Sequence, residues 1–302
     1  MSTLGLQGVE DLSSADLWRL AEKFSVQLRR MNALGIRGRR QIGQRQSGSD
    51  FDTYQPYRLG DDVRHVDWSV YARTERLHVR RFRDDQTGVL VVLLDASGSM
   101  GLGHPRKWTF AQAVGAVTAL AALRELHQVV VGVMVDGGVR TLPVLHGMES
   151  AAAVINFLST MTPAGPTDLE SAVEHVTRGL QSADLLIVSD FLDPSGGDAG
   201  LKAAASQAGG LHLARISALD EFKLSEGQMI YRDPESSSNK TKNATEATRE
   251  AFDGAVQEHR RGLVETARGL GANIMDFSSH ESLPRALETI FSHFTSRVSR
   301  PT

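Results

Sequence analysis

Cysteine is missing from all 302 residues, which excludes disulfides, thiolate zinc sites, iron–sulfur clusters and cysteine nucleophiles together. A secretory leader is not expected either, because the amino-terminal stretch carries Glu10 and Asp11 and lacks a basic start followed by an apolar run. Long apolar runs are also lacking. The longest, about Trp108 to Leu123, is Ala-rich, is broken by Gln112 and Gly115, and falls short of the ~20 residues of a membrane span, so it predicts a buried helix. These absences predict a cytoplasmic protein. Net charge is small, at −3, but it is segregated: Arg29, Arg30, Arg37, Arg39, Arg40 and Arg45 form a run with no acidic residue between them.

Hydrophobic residues make up 41% of the chain and charged residues 23%, a globular composition rather than a disordered or fibrous one. The length predicts one large domain with an appendage, or two modest domains. Leu17, Leu20, Phe24, Leu28 and Met31 recur at three- and four-residue steps, so Ser13 to Leu34 reads as an amphipathic helix, with Ser13 and Asp16 as a capping box and Gly35 as its stop. Gly35 to Ser49 is polar and reads as a loop. Beyond it Val66, Trp68 and Val70 alternate with polar residues, as do Leu77 and Val79, which predicts two short strands around a turn near Arg73 and Thr74. Residues 1–87 are therefore expected to form a small module of helix, Arg-rich loop and β-structure.

From Gly88 the pattern changes. The run Gly88 to Asp95 is continuously apolar, as expected for a strand covered on both faces, and similar runs occupy Val129–Val135, Leu185–Ser189, Leu211–Ile216 and Ala272–Phe277. Helical patterns separate them, near Met148–Thr160, Asp168–Gln181, Gly200–Ala208 and Leu283–Phe294, with one more running to about Arg268. Alternation of this kind predicts an α/β domain over 88–302 with a doubly wound, mostly parallel sheet. Gly137 and Gly138 between apolar segments suggest a hairpin that adds an antiparallel strand near one edge. Asp233 to Asn243 reads as an exposed loop.

Ligands of such sheets bind outside the carboxyl ends of the strands, and those positions are polar here. The first run ends in Asp95-Ala96-Ser97-Gly98-Ser99, Thr167 and Asp168 open a helix, and the third run is followed by Asp190. Carboxylate, hydroxyl and water oxygens suit a hard dication, magnesium or manganese, and Ala96 and Gly98 leave room for alternate side chains to turn toward one point. The plainer alternative is that Asp95 caps a helix and the serines belong to an ordinary turn. Other chemistries fail on the same text. Ser97 stands where a haloacid-dehalogenase-like phosphatase needs its second carboxylate. Gly98, Gly101 and Gly103 lead to His104 and Pro105 instead of a phosphate-loop lysine, and neither Ser97 nor Ser99 sits in a GxSxG elbow. His104, His127 and His146 read as surface or interface residues.

These residues carry two resemblances. "DASGSM", with Thr167 and Asp190 downstream, resembles the metal-ion-dependent adhesion site of von Willebrand factor A domains, over about residues 88 to 295. "YRLGDDVRHVDW" followed by "ARTERLHVRRF" resembles the signature that precedes such a domain in the bacterial domain-of-unknown-function-58 family. The resemblance implies magnesium held by Ser97, Ser99 and Thr167, with Asp95 and Asp190 acting directly or through water and a place left for a partner's carboxylate. It also implies a partner, since members are commonly paired with MoxR-type AAA+ ATPases and are thought to act as adaptors in maturing or remodelling other proteins. Many relatives carry membrane helices ahead of the signature, which this chain lacks.

The expectation is therefore a non-enzymatic, magnesium-dependent adaptor for a MoxR-type ATPase and a client protein; the alternative is a metal-dependent hydrolase using the same strand-end site. Arg58, Asp61, Asp62, Arg64, Asp67 and Arg73, interleaved with Tyr57, Trp68 and Tyr71, fit either an internal network or a docking face for the ATPase. The Arg run lacks interleaved aromatics and the chain as a whole is acidic, so a nucleic-acid partner is not expected.

Overall fold

The apolar runs become the strands of one sheet. The computed structural model describes residues 14–33, 50–57, 66–83, 88–103, 106–180, 182–192, 198–218, 227–232, 239–244 and 246–295. In chain order the elements are α1 (Ser14–Ala33), β1 (Asp50–Pro56), α2 (Trp68–Thr74), β2 (His78–Arg83), β3 (Val89–Asp95), α3 (Lys107–Arg124), β4 (Gln128–Val135), β5 (Gly138–Thr141), α4 (Ala151–Ser159), α5 (Leu169–Thr177), β6 (Asp184–Ser189), α6 (Asp198–Gln207), β7 (Gly210–Ser217), β8 (Gly227–Arg232), β9 (Asn239–Ala244), α7 (Glu246–Gly269), β10 (Asn273–Ser278) and α8 (Leu283–Thr295). Residues 37–86 form one compact unit and the rest of the chain another.

In the larger unit a six-stranded sheet runs β10-β7-β6-β3-β4-β5, with every pair parallel except β4 and β5. Strand side chains alternate between two cores, as a period of two requires. Leu90, Val92 and Leu94 of β3 join the core formed with α1, α3, α4 and α8, while Val91 and Leu93 face the core that includes residues of α5, α6 and α7. Within the first of these cores α3 is buried at every residue from Lys107 to Leu123, which explains its apolar character all round. β5 is the expected antiparallel edge strand. Its turn is one residue earlier than the Gly pair suggested: Asp136 (φ 51°) and Gly137 (φ 72°) take the two left-handed positions of a type I′ hairpin. On β7 the buried Arg215 faces Asp276 of β10. Burial works against ionising Asp276, but hydrogen bonds and charge from Arg215 and Arg260 outweigh it and hold its carboxyl below the usual range.

The first helix is where the sequence placed it, but it belongs with the sheet and not with residues 37–86 as expected from chain order. Its stripe of Leu17, Ala21, Phe24 and Leu28 is buried in the core shared with α3 and α8. Phe24 stacks on Phe291 with ring centroids 5.0 Å apart. The Ser13 cap and the loop from Gly35 to Ser49 lie outside the described residues.

The smaller unit departs from expectation. Trp68 to Thr74 is a helix, not a strand, because Asp67 caps it: Asp67 Oδ1 accepts hydrogen bonds from Ser69 N at 2.9 Å and Val70 N at 3.1 Å. Three alternating apolar residues do not outweigh that cap, and Val66 makes only an isolated bridge to Val79. β2 pairs instead with β1, antiparallel and with a register slip between Phe51 and Thr53. Trp68 and Tyr71 are exposed and meet edge to face at 6.1 Å. Asp67 thus acts locally as a cap, and Arg58, Asp61, Asp62 and Arg64 lie outside the described residues. In the larger unit, residues 239–243, expected to be loop, are strand β9, paired antiparallel with β8. His127, read as a surface or interface residue, is buried within the larger unit, and its Nδ1 accepts the Gly88 N–H at 3.0 Å. His146 is exposed as expected, and His104 is not among the described residues. Among those described, no helix is long and apolar enough to cross a membrane.

Candidate metal site at the carboxyl edge of the sheet

From β3 the chain passes to β4 on one side, and later returns to place β6 on the other side of β3. The carboxyl ends of β3 and β6 therefore flank the point where strand order reverses, the place where α/β sheets present ligand crevices. Asp95 ends β3, and Asp190 follows the last residue of β6.

Four of the five residues singled out from sequence converge there. Asp95 Oδ1 accepts from Ser97 N at 2.7 Å, Ser97 Oγ lies 3.0 Å from Ser99 Oγ, and Ser99 Oγ donates to Asp190 Oδ2 at 2.7 Å. All four are buried. The chain then enters a tight 3-10 turn over Gly98–Gly101, with the Ser97 side chain beside Asp95 and the Ser99 hydroxyl on Asp190. Burial, and then the nearby charge of Asp190, push the Asp95 carboxyl up to about 6, against hydrogen bonds from Ser189 and Ser97 that favour its ionised form.

Thr167 sits one step further out. It lies on the segment that crosses from α4, packed in one core, to α5, packed in the other. That segment is stitched to the Asp95 loop by Ala164 N to Ala96 O and Gly98 N to Gly165 O, both 2.9 Å, and to the β4–β5 turn by Gly137 N to Pro166 O at 2.7 Å. Thr167 is half-buried two residues beyond Gly165. The neighbouring Asp168 is the helix cap that Asp95 is not: it accepts from Ser171 N and Oγ at the start of α5, and those bonds hold its carboxyl below the usual range.

Gly165 makes this crossing possible. Its φ is +61°, and a Cβ there would stand 2.7 Å from Asp136 Oδ1 and 3.0 Å from Asp136 Cα. Gly165→Val is expected to cost roughly 2–4 kcal/mol, from left-handed strain plus overpacking. Urea unfolding measures it, and a loss below about 0.5 kcal/mol would show that the segment yields freely.

Two residues at the site escaped sequence analysis. Ser189 donates through Oγ to Asp95 Oδ2 at 2.5 Å and accepts the Phe191 N–H at 2.8 Å. Lys107, fully buried at the start of α3, places Nζ 2.6 Å from Asp190 Oδ2. A sign of Lys107 was available: it is the only charged residue of a helix otherwise neutral until Arg124, and a buried ammonium needs a counter-charge. Leu192 N donates to Asp190 Oδ1 at 3.1 Å, and His259 Nε2 lies 2.7 Å from Phe191 O, bracing the same loop.

The donors are oxygens throughout, from two carboxylates and neighbouring hydroxyls, a set that fits a hard dication.

Comparison with known proteins gives relatives over most of the chain. An uncharacterized protein of Mycobacterium tuberculosis strain H37Rv is 28% identical over 234 residues, covering 76% of this chain and 74% of the relative. The same figures hold for an uncharacterized protein of Mycobacterium bovis. Among solved structures, an aerotolerance-related membrane protein from Bacteroides fragilis aligns over 68% of this chain and 99% of its own, at 16% identity and a TM-score of 0.41. The pilus adhesin SpaC from Lactobacillus rhamnosus aligns over 69% of this chain and 30% of its own, at 11% identity and a TM-score of 0.43. The profile of the family described as "Protein of unknown function DUF58" matches residues 53–262, from β1 into α7. Since that match spans more than half of the sequence, the chain belongs to the DUF58 family.

Proposed function

We propose that the chain is a non-enzymatic, magnesium-dependent protein-interaction adaptor with a von Willebrand factor A-like domain, working in the cytoplasm with a MoxR-type AAA+ ATPase on a client protein. The observation that carries this reading is the convergence of Asp95, Ser97, Ser99 and Asp190 at the switch point between β3 and β6. Ser97, Ser99 and Thr167 would hold magnesium, or manganese in its place, with Asp95 and Asp190 bound directly or through water. Bound there, the cation would supply a Lewis-acidic position for one carboxylate from a partner. The chain's own part is to keep hydroxyls and carboxylates aligned: Ser189 and the Ser97 N–H orient Asp95, while Leu192 N and Lys107 orient Asp190.

The test is pull-down of a MoxR-type ATPase by the full chain, in magnesium and in EDTA. Binding is expected to need magnesium and to collapse in Asp95→Ala, with a smaller loss in Thr167→Val, which keeps shape and removes only the hydroxyl. Near-UV circular dichroism checks the fold. Binding unchanged in EDTA and in both folded variants would sink the adhesion-site reading. Magnesium-dependent hydrolysis of a phosphate ester by the wild type and not by Asp95→Ala would favour the hydrolase alternative.

A further inference from the structure

Lys107 stands where two unfavourable terms add. An ammonium buried in an apolar layer loses its hydration, and the first turn of a helix carries the positive end of the helix dipole. It is nevertheless fully buried there, its Nζ 2.6 Å from Asp190 Oδ2, and that same oxygen accepts Ser99 Oγ at 2.7 Å. The ammonium therefore adjoins the hydroxyl cluster directly. With both aspartates ionised, Lys107 halves the formal charge of the pair.

We propose that Lys107 is a tethered cation that competes with a divalent metal for Asp190 and so sets how weakly this cluster holds it. The inference rests on the reading that the cluster takes a metal. A second cation placed among Asp95, Ser97, Ser99 and Asp190 meets repulsion from the ammonium, and full attraction from Asp190 only when the Lys107 contact lengthens. Loading the site then exchanges a monovalent partner of Asp190 for a divalent one. A partner's carboxylate, which adds negative charge, would tilt that exchange toward the metal, so metal and partner would bind with mutual assistance. A purely structural ion pair makes a different demand: its loss should weaken the fold and, with it, metal binding.

Lys107→Gln separates the two, because it keeps an N–H donor for Asp190 and removes the charge. The probe is manganese alone, with the free ion followed by electron paramagnetic resonance on the purified full chain. Lys107→Gln is expected to bind at least tenfold more tightly than wild type, Lys107→Arg to stay within about threefold, and the neutral pair Lys107→Gln with Asp190→Asn to bind no more tightly than wild type. Thermal unfolding gives a second readout, in which magnesium should raise the midpoint of Lys107→Gln more than that of wild type. If Lys107→Gln is unfolded in EDTA, recovery of its near-UV spectrum in millimolar magnesium supports the proposal, and failure to recover overturns it. Wild type binding manganese as tightly as a folded Lys107→Gln overturns the role of Lys107 and leaves the metal reading standing. No manganese binding by wild type or by any of the variants ends both.

Discussion

Phe24→Ala is expected to destabilise the larger unit by about 3–5 kcal/mol, the range for emptying a buried aromatic site. The ring is fully buried, stacks within 12° of parallel on Phe291 at 5.0 Å, and belongs to the core shared by α1, α3 and α8. Two ion pairs accompany it, Lys23 with Glu288 at 2.7 Å and Arg124 with Glu22 at 2.9 Å, but they are solvent-exposed and contribute little. The expected loss is therefore almost entirely apolar. Urea denaturation followed through Trp108, which is buried in the same core, reads it directly. A change below about 1 kcal/mol would mean that α1 is an ornament on the sheet unit rather than one of its layers.

The second large effect is a pH dependence centred on Asp95, expected in EDTA. In the folded chain its carboxyl titrates at about 6, against an ordinary value of 3.8, chiefly because of burial and then because of the charge on Asp190. Between these values the native state binds more protons than the unfolded one, so stability falls as pH rises. The contribution is fully present below pH 4 and lost once pH has passed through 6; its size is on the order of 3 kcal/mol. Asp95→Asn has no such proton to lose. Its stability relative to wild type is therefore expected to climb from pH 4 to pH 7 and then level off, with urea midpoints as the measure. Under the proposed function, magnesium should flatten the wild-type profile above pH 6, since the cation then offsets the charge that the proton had suppressed. Parallel wild-type and variant profiles in EDTA would show that Asp95 is ionised at its ordinary value.

Which parts of this molecule can be read from the sequence follows from how far each cause reaches along the chain. β3, β4 and β6 are legible because a strand covered on both faces must be mostly apolar, and Val91 and Val92 show that demand on neighbouring residues. α1 is legible from its stripe, but its place is not, because the partner ring of Phe24 lies on α8. Val66, Trp68 and Val70 mislead because a local hydrogen bond decides their region: Asp67 satisfies two amides at once, which periodicity does not register. At the candidate site Asp95, Ser97 and Ser99 are legible as a string, and Asp190 as the end of an apolar run. Lys107 is legible only as a lone charge on an apolar helix; its role is not, because its counter-charge stands 83 residues away and comes near only when α3 and β6 pack on β3.

The contact of α1 with α8 has a consequence for how the chain is made. Lys23 and Glu288 are 265 residues apart, so α1 is made long before the helix that completes its seat. At 5–20 residues per second, its stripe of Leu17, Phe24 and Leu28 waits roughly 15 to 50 s before α8 exists to cover it. Over that interval the nascent chain carries α1 with part of its apolar stripe uncovered, and α3 lacks one of its covering layers. Synthesis of this protein thus includes a period of exposure to chaperones, proteases and neighbouring nascent chains that lasts until α8 has emerged.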